Sequence, residues 1–328
     1  MNSFAMHLKE LETLLSAPTP IQFCMNWKGA EIYIKREDLL PFSFGGNKVR
    51  FVLESLREMQ KGGFDALVSY GSPASNLNRA AAHFAAACEI PCSIIYKLDG
   101  EDAGRCANAR MVLESGAELI SCTKEEVGKT VAQTLEKLKN AGKKPYYIYG
   151  NADGHGAETV LARPYERIYR ALSENQADRF SHIFLAAGTG MTQTGLLAGA
   201  FSGDAHERDT IPICGISVAR KEEICRRQII QNLELVLGRR LSKEEQSKVF
   251  VTDRCLCGGY GKADASLLKM CKEMLCTCGL PLDTVYTGKA FYGMLQEIAR
   301  NKLEGRILFL HTGGLPGFFD DLEKRTVF

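Results

Sequence analysis

The stretch IFLAAGTGMTQTG, residues 183–195, decides the fold because it joins a strand pattern to a helix pattern through a glycine-rich turn. Residues 183–186 form an apolar run of the length typical of a buried parallel strand. At the start of the following helix, unpaired backbone N–H groups converge with threonine hydroxyls near the positive end of the helix dipole. The stretch therefore predicts an anion site, although a glycine-rich turn without a ligand is the simpler alternative.

The spacing of the glycines indicates what kind of anion is expected. It matches neither G-x-G-x-x-G, which binds dinucleotides, nor G-x-x-x-x-G-K-[ST], which binds nucleoside triphosphates. No lysine follows Gly195 to meet a triphosphate tail. The spacing suits a single phosphate group on a small cofactor.

Short apolar runs alternate with longer amphipathic stretches along the chain, which is typical of a parallel α/β fold. The predicted strands are residues 32–34, 66–69, 92–96, 118–120, 146–149, 183–186, 211–216 and 307–310. The predicted helices begin near residue 49 and cover residues 79–88, 107–115, 124–141, 158–173, 221–237, 243–248 and 292–301. We expect two lobes, each with a mainly parallel sheet flanked by helices. The expected large domain is residues 1–48 plus 150–328, and the small domain is residues 49–149.

Composition excludes several classes of protein. The 328 residues are 45% hydrophobic and carry a formal net charge of +2, so no strong field favours nucleic acid or an anionic membrane. No apolar run reaches the roughly 18 residues needed to span a bilayer. The N-terminus does not resemble a secretion signal, because charges interrupt its apolar positions. We therefore expect a cytoplasmic protein.

The twelve cysteines are interpreted as free thiols in a reducing compartment, because so long a chain needs no disulfide staples. The densest group is Cys255, Cys257, Cys271, Cys276 and Cys278. Its C-x-C pairs could hold zinc, but zinc sites more often use C-x-x-C. We expect no metal.

The loop PFSFGGNK, residues 41–48, ends in a candidate nucleophile. Its paired glycines allow a tight turn and leave room for a flat ligand. If Lys48 points into a pocket, burial lowers the pKa of its amine and makes the amine nucleophilic. A solvated surface lysine beside the turn is the alternative.

Two other loops follow predicted strands. The loop YGSPASNLNR, residues 70–79, contains Ser75, which could cap the next helix or, with neighbouring donors, bind a carboxylate. The loop HTGGLPG, residues 311–317, lets backbone approach a ligand closely. In parallel sheets, ligands gather at the carboxyl ends of strands, where these loops are expected.

Taken in order, the motifs resemble the fold-type II pyridoxal-phosphate enzymes, the tryptophan synthase β-like superfamily. Within it, the chain is similar to the family of D-cysteine desulfhydrase and 1-aminocyclopropane-1-carboxylate deaminase. The resemblance runs from about Pro20 to Gly317. The motifs that carry it are KRED at 35–38, GNKVR at 46–50, SN at 75–76, GTG at 188–190, YTGK at 286–289 and HTGG at 311–314.

The resemblance implies a role for each matching residue. Lys48 would be joined covalently to pyridoxal 5'-phosphate, Asn47 would lie beside the cofactor, and Asn76 would bond its ring hydroxyl. Ser75 would hold the substrate carboxylate, and Tyr286 would act as an acid, a base or a leaving-group contact. The phosphate would be bound by Gly188, Thr189, Gly190, Met191 and Thr192, and the pyridine nitrogen would face Thr312. A small amino-acid substrate and a homodimer are also implied.

Two positions separate the members of this family. Where the deaminase has a glutamate after the tyrosine and a leucine after the last histidine, this chain has Thr287 and Thr312, as the desulfhydrase does. A neutral hydroxyl leaves the ring nitrogen largely unprotonated, which makes a weaker electron sink. That is adequate when a β leaving group can depart, so the resemblance implies a lyase that catalyses α,β-elimination and gives pyruvate, ammonia and sulfide. Residues 71–74 and Asn78 depart from the desulfhydrase pattern and leave the substrate open.

Several alternatives remain at this point. On the same scaffold they are ring opening of aminocyclopropanecarboxylate, β-replacement and racemisation. Outside it they are a nucleotide-binding protein that uses the Gly188 loop alone and a non-catalytic protein that binds the cofactor. His155 and His311 could be acid/base groups, but packed structural histidines explain them more simply, since neither has an identified carboxylate partner.

Overall fold

The computed structural model describes residues 3–97, 106–174, 180–202 and 210–325. The strands, in chain order, are β1 Ile21–Trp27, β2 Ala30–Arg36, β3 Ala66–Gly71, β4 Cys92–Lys97, β5 Glu118–Cys122, β6 Pro145–Tyr147, β7 His182–Ala187, β8 Ile213–Ser217, β9 Phe250–Thr252 and β10 Gly305–His311. The helices are α1 Ser3–Leu14, α2 Asn47–Gly62, α3 Asn76–Ala87, α4 Ala107–Glu114, α5 Val127–Asn140, α6 Glu158–Glu174, α7 Met191–Phe201, α8 Glu222–Leu237, α9 Lys243–Ser247, α10 Ala265–Cys278, α11 Thr287–Asn301 and α12 Leu315–Arg325.

The contacts within the chain define two compact units. Unit 1 is Met1–Pro18 with Leu40–Leu161, and unit 2 is Thr19–Leu39 with Ala162–Phe328. The predicted large domain was residues 1–48 plus 150–328, and the predicted small domain was residues 49–149. Both remain predictions. The two divisions place residues 1–18, 40–48 and 150–161 differently.

Unit 1 is built on a four-stranded parallel sheet in the order β5-β4-β3-β6. Strand β3 is buried over its first four residues, as expected for a parallel strand covered on both faces. The core on one side of the sheet is formed by Val68, Ile95, Cys122, Val131 and Tyr147. The carboxyl end of β3 leads directly into the Ser75 loop and α3.

Unit 2 is built on a six-stranded sheet in the order β1-β2-β10-β7-β8-β9. Only the β1–β2 pair is antiparallel among these neighbours. From β7 the chain moves outward to β8 and β9, then returns to β10 on the other side of β7. This reversal is a topological switch point, where the carboxyl ends of adjacent strands leave room for a ligand. The loops that begin at Gly188 and Thr312 start at the ends of these two strands.

The parallel α/β prediction is confirmed, with differences at some ends. The YTGK motif lies at the start of α11, whereas the predicted helix began at residue 292. The helix begins earlier because the Asp283 carboxylate accepts bonds from the free N–H groups of its first turn, a long-range partner that periodicity does not detect. Strand β6 ends at Tyr147, and β1, β9, α1, α10 and α12 were not predicted.

The cysteines are free thiols, all twelve of them. Cys255 and Cys271 are buried in the core of unit 2 among apolar side chains. Among the described residues, no group of three or more His, Cys, Asp or Glu side chains is placed to hold a metal ion. None of the helices in the described ranges is both long and apolar enough to cross a bilayer.

Candidate active site

Lys48 is the second residue of α2 and follows a turn that only glycine adopts readily. Gly45 and Gly46 have φ values of 63° and 95°, in the region that a Cβ atom disfavours. The Lys48 side chain is partly buried, and its Nζ lies 4.7 Å from the centroid of the Phe51 ring. Within the described ranges, Nζ has no hydrogen-bond partner.

Burial lowers the pKa of the Lys48 amine from 10.5 to about 8, because the charged form loses water without gaining a partner. Roughly half of such amines are neutral near pH 8, whereas an ordinary lysine is almost fully protonated there. A neutral amine can attack an aldehyde or accept a proton. The chemistry predicted for Lys48 is therefore available to it.

Ser75 lies at the N-cap of α3, and its Oγ accepts a hydrogen bond from Asn78 N at 3.2 Å. The cap uses the oxygen only as an acceptor, so the hydroxyl hydrogen stays available for a carboxylate. A Cβ at Gly71 would lie 2.8 Å from Ser75 Oγ, so this close approach requires glycine. Capping and the predicted carboxylate contact are compatible.

The phosphate-binding residues predicted in unit 2 form the turn from β7 into α7. Gly190 is the N-cap with a φ of 85°, and no side chain caps this helix. A Cβ at Gly190 would lie 2.6 Å from Cγ1 of the buried Ile229. Met191 and Thr192 are buried in the first turn, whereas Thr189 is exposed. Because no side chain occupies the backbone N–H groups at the start of this helix, they can bind an anion.

Arg220 was missed by the sequence analysis. Its Nη1 donates to Gly188 O at 3.2 Å, which places a guanidinium beside the glycine turn. The Ser217 hydroxyl donates to Arg220 O at 2.6 Å and fixes the turn after β8. The sequence could have indicated Arg220 by its position. It follows strand β8, which is adjacent to β7, and the glycine turn begins where β7 ends.

Asp283, also missed, organises the start of α11. One carboxylate oxygen accepts from the N–H groups of Val285 at 2.9 Å and Tyr286 at 2.7 Å. The other accepts from the N–H of Thr287 at 3.0 Å and from its hydroxyl at 2.6 Å. Burial raises the pKa of Asp283, while these hydrogen bonds oppose that shift. Thr287 is fully buried and bound to this carboxylate.

Tyr286 has a tyrosine partner that sequence reasoning did not find. The hydroxyls of Tyr286 and Tyr260 are 2.7 Å apart, and Tyr260 is 51% exposed. The loop that carries Tyr260 is held by the buried Lys289, whose Nζ donates to Leu256 O at 2.8 Å and Gly259 O at 2.5 Å. Two hydroxyls in contact can pass a proton from one to the other.

Tyr286 also lies close to the phosphate turn within unit 2. A Cβ built at Gly188 would be 3.7 Å from the Tyr286 ring, in ordinary contact distance. The predicted phosphate residues and the predicted acid/base residue are therefore neighbours. In unit 1, Arg79 bonds both Asn76 and the loop that precedes Lys48.

Thr312 is 9% exposed and follows the buried His311 at the end of β10. Nε2 of His311 donates to Pro281 O at 2.8 Å, and its Nδ1 accepts from Gly313 N at 3.3 Å. Asp38, which is bound by Arg36, lies 3.5 Å from the same Nδ1. The sequence had identified no carboxylate partner for His311, and the structure supplies one because β2 and β10 are adjacent. Its bonds orient the loop that carries Thr312.

His155 also has a carboxylate partner that the sequence had not identified. Its Nδ1 lies 3.3 Å from Glu158, three residues later, and its side chain is exposed. Exposed pairs of this kind contribute little to stability. The pair lies in the turn that precedes α6.

These residues fit a phosphate-bearing aldehyde. The Lys48 amine, partly neutral, suits an aldehyde, and the open start of α7, beside Arg220, suits a phosphate. No side chain caps this helix start, and a Cβ at Gly190 would meet Ile229. The roles of Lys48, Asn47, Ser75, Asn76, Tyr286, Thr312 and the Gly188–Thr192 turn remain predictions.

Comparison with known proteins identifies the class. The family model of the pyridoxal-phosphate dependent enzymes matches residues 13–313, and the chain belongs to this family. Its cofactor is pyridoxal 5'-phosphate, and the predicted enzyme class and the predicted fold type II architecture are confirmed.

Two relatives and one solved structure are similar to nearly the whole chain. A Pyrococcus horikoshii protein named "Putative 1-aminocyclopropane-1-carboxylate deaminase" is 31% identical over 312 residues, 93% of this chain and 92% of that protein. The D-cysteine desulfhydrase of Salmonella typhi is 27% identical over 321 residues, 93% of this chain and 94% of that protein. A crystal structure described as an ACC deaminase homologue has a TM-score of 0.80 at 27% identity and covers 98% of this chain and 99% of that one.

Proposed function

We propose that the protein catalyses α,β-elimination on a small amino acid with a β leaving group, in the manner of a D-cysteine desulfhydrase. With D-cysteine and one water molecule, the products are pyruvate, ammonia and hydrogen sulfide. The proposal places the protein among carbon–sulfur lyases. The homodimer and the cytoplasmic location remain predictions.

Bound pyridoxal phosphate would supply the electron-accepting ring that stabilises negative charge at the substrate α-carbon. Lys48 is the proposed covalent attachment point and the base for the α-proton. This role is supported by the lowered pKa of its amine, which leaves a substantial neutral fraction near pH 8. Asn76, together with the open N-terminus of α7, would hold the cofactor in orientation.

Ser75 would donate its hydroxyl hydrogen to the substrate carboxylate while its oxygen continues to cap α3. Tyr286 would give a proton to the departing sulfide, with Tyr260 as the hydroxyl that restores it. The exposed position of Tyr260 supports this order, because it gives the pair a route to solvent. Lys289 would keep the Tyr260 loop in place.

The observation that favours elimination over ring opening is that Thr287 carries no charge. This residue is a neutral threonine that is fully buried, and its hydroxyl donates to the Asp283 carboxylate at 2.6 Å. Thr312, also neutral, is the proposed partner of the ring nitrogen. Neutral partners favour reactions in which a leaving group takes up the electrons. Ring opening has no such group, which makes it the second candidate despite the name of the Pyrococcus relative.

The test is an assay of the purified, cofactor-loaded protein with D-cysteine, L-cysteine, β-chloroalanine and 1-aminocyclopropane-1-carboxylate. Sulfide, pyruvate, 2-oxobutyrate and ammonia are measured separately. We expect sulfide and pyruvate in equal amounts from D-cysteine, and pyruvate from β-chloroalanine. Faster formation of 2-oxobutyrate from the cyclopropane substrate would support ring opening, while racemised substrate without keto acid would support a racemase.

The control for the assay is Lys48→Ala. We expect this variant to lose the absorbance at the edge of the visible range that marks covalently bound cofactor, and to lose turnover. A variant that kept both would show that another lysine carries the cofactor. A yellow wild-type protein that is inert towards all four substrates would indicate a binding protein.

A further inference from the structure

Arg79 is a buried arginine whose hydrogen-bond partners among the described residues are all neutral. The residue is 1% exposed and lies in α3 of unit 1. Its Nη1 donates to Asn76 Oδ1 at 2.5 Å and to Asn108 Oδ1 at 2.7 Å. Its Nε and Nη2 reach Ser43 Oγ at 3.3 Å and Gly45 O at 3.5 Å. In the part of unit 1 that the structure describes, this positive charge is therefore held by amide, hydroxyl and carbonyl dipoles.

The guanidinium fixes the orientation of both carboxamides. Arginine has five N–H donors and no acceptor, so any carboxamide atom that bonds to it must be oxygen. Asn76 therefore turns Oδ1 inward and Nδ2 away from Arg79. Asn108 closes the arrangement, because its Nδ2 donates to Asn76 Oδ1 at 3.1 Å and to Ala74 O at 2.8 Å. The orientation of both amides therefore follows from donor chemistry.

The amide N–H₂ of Asn76 is left as a donor without a partner inside the described part of the chain. The Asn76 side chain is only partly buried, so this group can reach a ligand. Its oxygen accepts two hydrogen bonds, one of them from a cation, which polarises the amide and strengthens its N–H groups as donors. The site is built to meet an acceptor.

The nearby charges favour an acceptor that is negatively charged. Burial lowers the pKa of Arg79 to about 10, which still leaves it protonated at neutral pH. His83 contacts Ser43 Oγ at 2.9 Å, and burial followed by the Arg79 charge lowers the pKa of its imidazole. Arg79 therefore places a positive charge directly behind the Asn76 amide.

We propose that Arg79 and Asn108 are positioning residues that make Asn76 a fixed N–H donor backed by positive charge, selecting an ionised ring oxygen on the cofactor. The inference rests on the proposed contact between Asn76 and the cofactor, and it does not depend on which reaction follows. The alternative is purely structural: the triangle of hydrogen bonds among Arg79, Asn76 and Asn108 would serve only to join α3 to α4.

The test uses the apoprotein and pyridoxamine 5'-phosphate, which carries the ring oxygen but no aldehyde and so binds without Lys48. Fluorescence titration gives its Kd, and the ultraviolet spectrum of the bound ligand gives the ionisation of its ring hydroxyl across pH. The variants are Asn108→Ala, Asn76→Ala and Arg79→Lys. The matched control is Thr134→Ala, which loses one buried hydrogen bond to Thr130 O in the same unit.

We expect Asn76→Ala to weaken binding on the order of 10- to 100-fold, since it removes a hydrogen bond to a charged acceptor. Asn108→Ala should weaken binding by about 10-fold and let the ring hydroxyl protonate at higher pH than in the wild type, because Asn76 is no longer fixed. Arg79→Lys should keep the oxygen ionised but bind less tightly, because lysine cannot span both carboxamides. Thr134→Ala should change neither quantity.

Two outcomes would overturn the inference. One is that Asn108→Ala has the same Kd and the same spectrum as Thr134→Ala. That result would mean that the triangle has only a structural role. The other is unchanged binding in Asn76→Ala, which would remove Asn76 from the ligand contact. The proposed reaction fails separately, if the variants show these binding shifts but the wild-type protein forms no keto acid from any amino acid.

Discussion

Replacing Gly190 by Ala tests whether the phosphate turn depends on a missing side chain. Two costs are expected. A Cβ at a left-handed position such as φ 85° costs about 1–2 kcal/mol. That Cβ would also lie 2.6 Å from Cγ1 of Ile229, which is fully buried, and overpacking of this kind costs about 1–3 kcal/mol. Gly190→Ala should therefore lower the free energy of unfolding by about 2–5 kcal/mol.

Gly238, which ends α8, provides a matched control. Its φ is 66°, and a Cβ there would meet no heavy atom within 4 Å. Gly238→Ala carries the backbone strain without the clash, so it should cost only about 1–2 kcal/mol. The difference between the two variants isolates the steric contribution at the phosphate turn.

The assay is urea unfolding of the apoproteins, followed by circular dichroism and analysed by linear extrapolation. A midpoint shift at constant slope reports stability. The Kd for pyridoxal 5'-phosphate, measured in parallel, should rise for Gly190→Ala and stay unchanged for Gly238→Ala. Equal midpoint shifts in the two variants would refute the reasoning, because they would show that Ile229 moves aside without cost.

A double variant sharpens the test. Ile229→Ala alone should cost about 2–5 kcal/mol, since it empties a buried position. Combined with Gly190→Ala, the loss should fall below the sum of the single variants by about 1–3 kcal/mol, because the clash has been removed. Strict additivity would mean that the two positions do not touch.

Lys48 should become covalently attached to pyridoxal 5'-phosphate in the apoprotein with a rate that rises with pH and has a midpoint near pH 8, because the neutral amine attacks and its pKa is about 8. Borohydride trapping and mass spectrometry follow the attachment, and a midpoint above pH 10 would contradict the burial argument. Tyr286→Phe should lower kcat by about 10²- to 10⁴-fold, as expected for loss of a proton donor. Tyr260→Phe should lower kcat by only about 10-fold, since Tyr286 keeps its hydroxyl and loses one hydrogen bond. Steady-state kinetics with D-cysteine check both values. If kcat falls further in Tyr260→Phe than in Tyr286→Phe, then Tyr260 is the proton donor and Tyr286 is the hydroxyl that restores its proton.

Local patterns in the chain were sufficient to predict much of the fold. Apolar runs of three to six residues next to helical stretches predicted the parallel strands, because burial on both faces requires continuous apolar sequence. The glycines before Lys48 and around Thr189 also signalled their turns, since few other residues adopt positive φ. The ends of elements were less certain, as at α11, whose start is fixed by the side chain of Asp283.

The sequence by itself therefore determined the alternation of strands and helices and the loops that carry Lys48, Ser75 and Gly188, because those features depend on neighbours within a few residues. Only the tertiary structure decided which side chains support them. Tyr260 meets Tyr286 across 26 residues, and Asn108 meets Arg79 across 29. Such partners share no periodic signal, because they are brought together by strand order and helix packing. The lowered pKa of Lys48 likewise depends on burial, which no local pattern encodes.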